Sequence, residues 1–107
     1  YYPMRAIRTR THNYILNLAH PLDYPIASDV AGSPSWRAIA ADPSIRLGQR
    51  TQTAYRHRPA EELYDLTRDP GECVNLAGAP ELAAVKAQLA ERLQAMRRAT
   101  NDPWLEA

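Results

Sequence analysis

The fold is decided by the stretch Glu61-Glu62-Leu63-Tyr64-Asp65-Leu66-Thr67-Arg68-Asp69-Pro70-Gly71-Glu72. Its apolar and aromatic first half is typical of a β-strand, which we place at residues 62–66. The sequence Asp69-Pro70-Gly71 is typical of a tight turn. A loop follows, and Pro80 opens an amphipathic segment. The stretch predicts a strand, a turn and a helix packed on a sheet, and nothing in it is evidently catalytic.

The segment after Pro80 has the spacing of a helix. Its apolar residues recur at steps of three and four, namely Leu82, Val85, Leu89, Leu93 and Met96. Its charged residues, including Arg97, occupy other positions. Acidic residues in the first turn and basic residues in the last turn suit the helix dipole. The sequence therefore predicts a long C-terminal helix whose apolar stripe ends at Met96.

Two more strands are predicted near the start of the chain. Residues 4–10 form the first strand, with Arg5, Ile7 and Thr9 on one face, and residues 14–18 form the second. The polar residues 10–13 supply the turn of a β-hairpin, with an exposed His12 in that turn. We expect the strand at residues 62–66 to pair with this hairpin.

The middle of the chain, residues 19–59, is divided by prolines into short pieces. Only one piece predicts a regular element: Ser33 is a good N-cap, Pro34 suits the first helical position, and helix formers continue to Ala41. Residues 51–58 are compatible with a short helix or with an approach to the next strand. A connection this long usually covers a functional site or is held by a neighbouring domain.

These elements predict an α+β fold. A small antiparallel sheet of three to four strands packs against a long C-terminal helix, with one short helix in the middle connection. Residues 1–107 are expected to form a single subdomain. Because the chain begins at Tyr1 rather than Met, we expect it to be part of a longer protein.

The composition excludes a strongly charged domain. Thirteen basic and twelve acidic residues give a net charge of +1, too little for a long-range field that selects nucleic acid or a membrane surface. No apolar run approaches the roughly 20 residues that span a bilayer. The single cysteine, Cys73, has no partner for an intramolecular disulfide. The compartment is therefore undetermined from the sequence.

The usual catalytic residue types do not form a site. The three histidines, His12, His20 and His57, are scattered, whereas a zinc site needs three or four convergent ligands. The carboxylates of residues 61–72 are expected to be solvated charges, a turn residue at Asp69, and an ion pair to Arg58 or Arg68. The sequence therefore offers no catalytic residue and no metal ligand.

Arginine is the residue type that suggests binding. Arg5 and Arg8 lie on the first strand, and guanidinium groups bind sulfate and carboxylate groups well. Residues three apart on a strand face opposite sides, so only one of them can contact a given ligand, and an ion pair to a carboxylate is the alternative. His20, at the end of the second strand, is the third candidate substrate-binding residue.

The chain also resembles a known family. The pattern Glu-Leu-Tyr-Asp-Leu-x-x-Asp-Pro-x-Glu-x-x-Asn-Leu, from Glu62 to Leu76, is similar to the motif near the C-terminal end of the sulfatases. Residues 4–9, 14–16 and 101–104 resemble more narrowly the sulfamidase branch, the N-sulfoglucosamine sulfohydrolases. The similarity covers nearly the whole chain.

The resemblance implies a C-terminal subdomain without its catalytic domain. Sulfatases hydrolyse sulfate esters or, in the sulfamidase branch, N-sulfate bonds, and the expected substrate is a sulfated saccharide such as heparan sulfate. Their nucleophile is a formylglycine in a Cys/Ser-x-Pro/Ala-x-Arg motif, set beside a calcium ion. Cys73 lacks Pro and Arg at the required offsets, so it is not that precursor. The fragment alone is expected to be inactive and to help wall the substrate cleft.

Two alternatives come from other classes. One is an autonomous module that binds anions or RNA through the arginines of the first strand and the patch Arg56-His57-Arg58. The near-neutral charge and the absence of aromatic residues on the first strand disfavour RNA. The other is an oligomerisation domain that forms a stable homodimer. The expected partners are the catalytic domain of the same chain and a sulfated saccharide, with neither nucleic acid nor membrane.

Overall fold

The computed structural model describes residues 2–105, so that Tyr1, Glu106 and Ala107 lie outside the described residues. The chain divides into two compact units. The first contains Tyr2 and residues 20–58, and the second contains residues 3–19 and the chain from residue 59 onward. The assignment of the whole chain to one subdomain stays a prediction.

The second unit contains a three-stranded antiparallel sheet in the order β1-β2-β3. The strands are β1 (Met4–Arg8), β2 (His12–Asn17) and β3 (Glu61–Asp65). Ile7 pairs with Tyr14, and Tyr14 pairs with Leu63, so these three side chains form one row on one face of the sheet. The predicted hairpin and its pairing with the third strand are confirmed.

A long helix covers that face of the sheet. A 3₁₀ turn (Pro80–Leu82) leads into α4 (Ala83–Ala99). Leu89 and Leu93 of α4 join the row from the sheet in one buried core. Leu82 and Val85 pack at the edge of this core. The predicted α+β fold is therefore confirmed, with the C-terminal helix on the sheet.

The prediction that the apolar stripe of α4 ends at Met96 is wrong. Met96 has 54% of its surface exposed, whereas Arg97 is only 6% exposed. Arg97 follows Leu93 by four positions and so lies on the same face of the helix. Its guanidinium donates to Asp102, Gln94 and the Trp104 carbonyl. Helical spacing alone could not indicate that an arginine would take this position.

The hairpin turn is also shorter than predicted. β1 ends at Arg8 and β2 begins at His12, so His12 belongs to a strand and is half-buried. Thr9 explains this early turn, because its hydroxyl oxygen accepts hydrogen bonds from the N–H groups of Thr11 and His12. The Thr9 hydroxyl thus replaces the backbone acceptors that a further pair of strand residues would have supplied.

The first unit consists of short helices and loops. The helices are α1 (Ser28–Ala31), α2 (Pro34–Ala41) and α3 (Gln52–Arg56). The helix capped by Ser33 is confirmed, since the Ser33 hydroxyl accepts from the N–H of Trp36. The expectation of one helix in this region is wrong. α1 is a single turn with only local bonds, and α3 is capped by Thr51, whose hydroxyl accepts from the N–H of Ala54.

The side chain of Gln52 ties these helices together. Its Nε2 lies 2.8 to 2.9 Å from the carbonyl oxygens of Ile39, Asp42 and Ile45. The carbonyls of Ile39 and Asp42, at the end of α2 and its cap, also accept from the N–H groups of Asp42 and Ile45, so Gln52 gives each of them a second donor. Gln52 therefore closes the loop between α2 and α3 in a unit that contains no buried residue between positions 20 and 58.

Candidate functional site

The residues of the stretch 61–76 have structural partners. Leu63 is fully buried in the core between sheet and helix. On the opposite face of β3, Glu62 is only 4% exposed. Its carboxylate accepts hydrogen bonds from the Tyr64 hydroxyl and from Nδ2 of Asn17, the latter at 2.6 Å. The expectation that Glu62 is a solvated charge is wrong, because these donors replace water around it.

The other carboxylates of this stretch hold the turn that follows β3. Asp65 accepts from the N–H and the hydroxyl of Thr67, and these bonds keep the pKa of Asp65 below its usual value. Asp69 accepts from the N–H groups of Cys73 and Val74. The turn role of Asp69 is confirmed. Both carboxylates are thus occupied by local backbone, as in other Asx turns.

The end of the motif returns to β3. The amide oxygen of Asn75 accepts from the N–H of Leu63, and its Nδ2 donates to the carbonyl of Glu61. The N–H of Leu76 donates to the carbonyl of Leu63 at 2.7 Å. These bonds satisfy the outer edge of β3. Glu72, in a left-handed backbone conformation with φ of 54°, accepts from Asn13 on β2.

Glu61 forms a second polar contact on the helix side of the sheet. Its carboxylate accepts from the Tyr14 hydroxyl at 2.6 Å and lies 3.5 Å from Nζ of Lys86 on α4. Burial, together with the bond to Glu61, raises the pKa of Tyr14 far above its usual value. Tyr14 is therefore a neutral donor that helps to orient Glu61 towards the helix.

The structure brings Arg5, Arg97 and Asp102 together at the other end of α4. Arg5 donates from Nε and Nη2 to the two oxygens of Asp102, at 2.8 and 2.7 Å. Arg97 donates from Nε to the same carboxylate at 2.9 Å and from its two Nη atoms to Gln94 and to the Trp104 carbonyl. We call these three residues the tail clamp, because they hold the segment after α4 against β1.

The tail clamp determines the ionisation of Asp102. Its side chain is only 4% exposed. The hydrogen bonds from Arg5, the N–H of Trp104 and Arg97 hold the pKa of Asp102 well below its usual value of 3.8. Asp102 is therefore an anion at any pH near neutrality, and its charge is shared by two guanidinium groups.

A groove of about 340 Å³ lies beside the tail clamp. It is lined by Arg5 and Ala6 of β1, by Leu93, Met96, Arg97 and Thr100, and by Asp102 and Pro103. The two guanidinium groups of the tail clamp donate to the Asp102 carboxylate, to Gln94 and to the carbonyls of Met4 and Trp104. Its free surface is mainly apolar, which is unsuited to a sulfate group.

A larger groove of about 610 Å³ lies at the end of β3. It is lined by His12, Asp65, Arg68, Asp69, Val74, Leu76, Glu81 and Leu82. Arg68 forms a distant ion pair with Asp65, 3.9 Å between Nε and Oδ2. The two aspartates there serve the turn, so the groove has no free pair of carboxylates for general acid and base catalysis.

Of the three predicted binding residues, Arg5 and Arg8 belong to the second unit and His20 to the first. Arg5 belongs to the tail clamp on the helix side of the sheet. Arg8 is exposed, and its strand position places it on the opposite face from Arg5. His20 is exposed and belongs to the first unit. Binding of a substrate by any of the three stays a prediction, and Arg8 and His20 are the two with accessible side chains.

The basic patch of the first unit also has internal partners. Arg56 and His57 lie 3.2 and 2.8 Å from the carboxylate of Asp23. The guanidinium of Arg58 lies 3.7 Å from the centre of the Tyr24 ring and 5.3 Å from that of Tyr55. Of the two predicted ion-pair partners, Arg68 is the one that pairs with a carboxylate, that of Asp65, whereas Arg58 makes a cation–π contact. These contacts indicate that Arg56, His57 and Arg58 help to stabilise the first unit.

The next feature is the set of side chains that could bind a metal ion or act as a thiol. Residues 2–105 contain no group of three His, Cys, Asp or Glu side chains that could hold a metal ion. Cys73 is a half-buried free thiol, with Sγ 3.4 Å from the Gly71 carbonyl. Within the same residues, every helix is too short or too polar to cross a membrane.

Sequence reasoning missed two residues that organise this part of the molecule, Asp102 and Asn17. Asp102 lies 97 positions from Arg5, and Asn17 lies 45 positions from Glu62. A charged residue followed by Pro103 is an ordinary surface pattern, so nothing local indicated that Asp102 is buried. The signal available was the presence of Arg97 at a core-facing position of α4.

Two known proteins are similar in sequence to this chain. Over 109 residues, the chain is 34% identical to N-sulphoglucosamine sulphohydrolase of Homo sapiens, covering 97% of this chain and 21% of that protein. It is 29% identical to an ulvan-active sulfatase of Formosa agariphila, covering 94% of this chain and 18% of the relative. No protein-family model matches the chain.

The chain spans about a fifth of the length of these two relatives. The matched fifth includes the motif from Glu62 to Leu76, the hairpin and the tail clamp, because nearly the whole chain is aligned. One relative is named as a sulfatase and the other as a sulphohydrolase, and the fold agrees with the expectation from the sequence. The chain resembles the C-terminal region of a sulfatase.

Proposed function

We propose that this chain is a non-catalytic C-terminal part of a sulfatase-like hydrolase, and that it helps to wall the substrate cleft of the longer protein. The reaction of that protein is hydrolysis of a sulfate ester or of an N-sulfate bond. The observation that carries the proposal is the 34% identity to N-sulphoglucosamine sulphohydrolase over nearly the whole chain. The structural use of the motif residues supports the non-catalytic role.

The catalytic groups belong to the rest of the longer protein. A formylglycine nucleophile and a calcium ion are proposed there, on the basis of the family resemblance. Cys73 does not fit the first role, because the motif requires Pro or Ala two positions later and Arg four positions later, where this chain has Asn75 and Ala77. No step of the reaction is assigned to residues of this chain. Its proposed partners are the catalytic domain and a sulfated saccharide, with a homodimer as a further proposal.

Two residues are proposed to face the substrate. Arg8 and His20 are exposed and can approach an anionic group, whereas the Arg5 guanidinium donates to Asp102 and to the carbonyl of Met4. A guanidinium or an imidazolium binds sulfate through charge-assisted hydrogen bonds. If either one contacts the saccharide, it contributes to substrate affinity and not to bond cleavage.

The proposal is tested with the longer polypeptide and with the 107-residue chain side by side. Sulfate release is measured from an N-sulfated glucosamine and from a saccharide sulfate ester. We expect release by the longer polypeptide alone. In that polypeptide, Arg8→Gln or His20→Ala should raise KM about tenfold with kcat unchanged, since a hydrogen bond between charged groups contributes about 1.5–3 kcal/mol.

Arg10→Gln is the matched control, because Arg10 is an exposed arginine of the hairpin turn. Its KM should stay within about twofold of the original value. Absence of sulfate release from both substrates by the longer polypeptide would overturn the proposed reaction. Unchanged KM in both variants would show that neither Arg8 nor His20 contacts the substrate. The proposed hydrolysis reaction would still stand.

A further inference from the structure

The groove of about 610 Å³ at the end of β3, which we call the β3 groove, has the size of a site for a small organic ligand. Its apolar surface comes from Val74, Leu76 and Leu82. Val74 is 57% exposed, so this surface is open to a ligand. Ligand sites usually combine such a surface with a few polar groups that fix the orientation of the ligand. The β3 groove has both components.

The loop that forms one wall of the β3 groove is held in place by hydrogen bonds. The carboxylate of Asp69 accepts from the N–H groups of Cys73 and Val74. The N–H of Leu76 donates to the carbonyl of Leu63 on β3 at 2.7 Å. These bonds fix the positions of Val74 and Leu76 before a ligand arrives. A groove that is formed in advance loses less conformational entropy when it binds a ligand.

Two nitrogen-bearing side chains, Arg68 and His12, also line the β3 groove. The Arg68 side chain is 89% exposed, and its contact with Asp65 is long, 3.9 Å from Nε to Oδ2, so its guanidinium is available to a ligand. Nδ1 of His12 lies 2.8 Å from the Thr11 hydroxyl, which leaves Nε2 as the ring nitrogen available to a ligand. A guanidinium binds sulfate through charge-assisted hydrogen bonds, and an imidazole N–H adds a further donor. These two side chains therefore suit an anionic group.

Three carboxylates line the same groove, those of Asp65, Asp69 and Glu81. They oppose a ligand with many negative charges, such as a nucleic acid or a densely sulfated chain. They also accept hydrogen bonds from hydroxyl groups, since an ionised carboxylate has about four acceptor positions. Asp65 uses Oδ1 for Thr67, which leaves Oδ2 for a hydroxyl group, and Glu81 is exposed. The β3 groove thus fits a hydroxyl-rich ligand with a single anionic group.

We propose that the β3 groove binds a sugar unit that carries a single sulfate group. The sulfate accepts hydrogen bonds from Arg68 and His12. Hydroxyl groups of the sugar donate to Asp65 and Glu81, and the C–H groups on one face of the ring pack on Val74. The proposal rests on the proposed function, in which the longer protein acts on a sulfated saccharide, and it gives this chain a binding groove for that class of ligand.

An NMR titration of the 107-residue chain tests the proposal. N-sulfated glucosamine should shift the amide signals of Arg68, Val74 and Leu82 until they saturate. N-acetylglucosamine, which lacks the sulfate, and inorganic sulfate, which lacks the sugar, should each bind at least about tenfold more weakly. Unshifted signals at these three residues would overturn the proposal. Inorganic sulfate that binds as tightly as the sulfated sugar would also overturn it, because the groove would then hold an adventitious ion only.

Two substitutions separate the contributions of charge and apolar surface. Arg68→Gln should weaken the binding of N-sulfated glucosamine about tenfold and that of N-acetylglucosamine less than about twofold. Val74→Ser should weaken both ligands by a similar factor, since it removes apolar surface but no charge. Arg92→Gln is the matched control, because Arg92 is an exposed arginine of α4 that does not line the groove. Equal losses in Arg68→Gln and Arg92→Gln would contradict a sulfate contact of Arg68.

Sulfate release by the longer polypeptide separates this proposal from the proposed function. Release by the longer polypeptide, together with unshifted signals at the β3 groove in the 107-residue chain, refutes the binding groove alone. Saturable binding at the groove without release from either substrate supports the groove and refutes the proposed reaction.

Discussion

Arg5 and Asp102 form a two-bonded ion pair across 97 positions of the chain, with N–O distances of 2.8 and 2.7 Å. Arg5 lies on β1, near the start of the second unit, and Asp102 lies in the segment after α4. Because Arg97 donates to the same carboxylate, the pair also connects the strand to the helix. The tail clamp is thus the long-range polar contact that places the end of the chain on the sheet.

Replacing Asp102 should lower the stability of the second unit. Asp102→Asn keeps the size of the side chain but removes the charge shared by Arg5 and Arg97, and it leaves the buried Arg97 without its anion. We expect a clear decrease in Tm, measured by circular dichroism. Glu91→Gln, on the exposed side of α4, is the control and should shift Tm by no more than about 2 °C. Equal shifts in the two variants would refute a stabilising clamp.

The contribution of Asp102 should depend on pH in one direction. Its pKa is lower in the folded protein than its usual value of 3.8, so the unfolded state binds the proton more readily. The stabilisation is therefore fully present above about pH 5 and is lost as the pH falls through 4 towards the folded-state pKa. The difference in Tm between the original chain and Asp102→Asn should be constant from pH 7 to pH 5 and shrink below pH 4. A difference that grows on acidification would contradict this.

The last two residues of the predicted apolar stripe on α4, Leu93 and Met96, should respond differently to truncation. Leu93 is buried in the core, so Leu93→Ala should cost about 2–5 kcal/mol of unfolding free energy. Met96 is mostly exposed, so Met96→Ala should cost less than about 1 kcal/mol in the 107-residue chain. Urea denaturation measures both values. A larger cost for Met96→Ala than for Leu93→Ala would contradict the described packing of α4.

Loss of the Glu62 carboxylate should destabilise the sheet. Glu62→Ala removes a buried acceptor of the Tyr64 hydroxyl and one of the two acceptors of the Asn17 amide, which also donates to the Pro59 carbonyl, and loss of a buried acceptor costs about 1–3 kcal/mol for each donor. We expect a total of about 2–4 kcal/mol by urea denaturation. Glu81→Ala, at an exposed position of the 3₁₀ turn, is the matched control and should be within about 0.5 kcal/mol of the original chain. Similar costs for both variants would show that Glu62 is solvated after all.

Gln52→Ala should loosen the first unit locally. The change leaves the carbonyls of Ile39, Asp42 and Ile45 without their shared donor, and each net hydrogen bond is worth about 0.5–1.5 kcal/mol. We expect faster hydrogen exchange in residues 39–55 and unchanged exchange in the sheet. Gln49→Ala, at an exposed position of the same loop, should change neither region. Faster exchange in both variants would mean that Gln52 has no special role.

The regular elements could be predicted from the sequence because their signals are local. Ser33 and Pro34 indicated the start of α2, and the spacing of Leu89 and Leu93 indicated the buried face of α4. Strand alternation placed Arg5 and Ile7 on one face of β1, and the structure has both on the side of the sheet that α4 covers. Errors occurred at boundaries, as at Thr9, where a side chain competes with the strand for backbone hydrogen bonds.

The polar contacts could not be predicted because their partners are distant in sequence. Glu62 and Arg97 were both expected to face water, since an isolated charged residue usually does. Each is buried because a second residue far along the chain meets it, Asn17 in one case and Asp102 in the other. A single sequence contains no local sign of such pairs. For the same reason, the ion pair of Arg5 could be given only as an alternative to ligand binding.

Sulfate release by the purified 107-residue chain tests the central claim most directly. The chain should be folded, with protected amides in β2 and α4, and should release no sulfate from an N-sulfated glucosamine or a saccharide sulfate ester at any concentration tested. Sulfate release above the buffer blank, abolished when the chain is unfolded in urea, would contradict the claim that catalysis resides outside these residues.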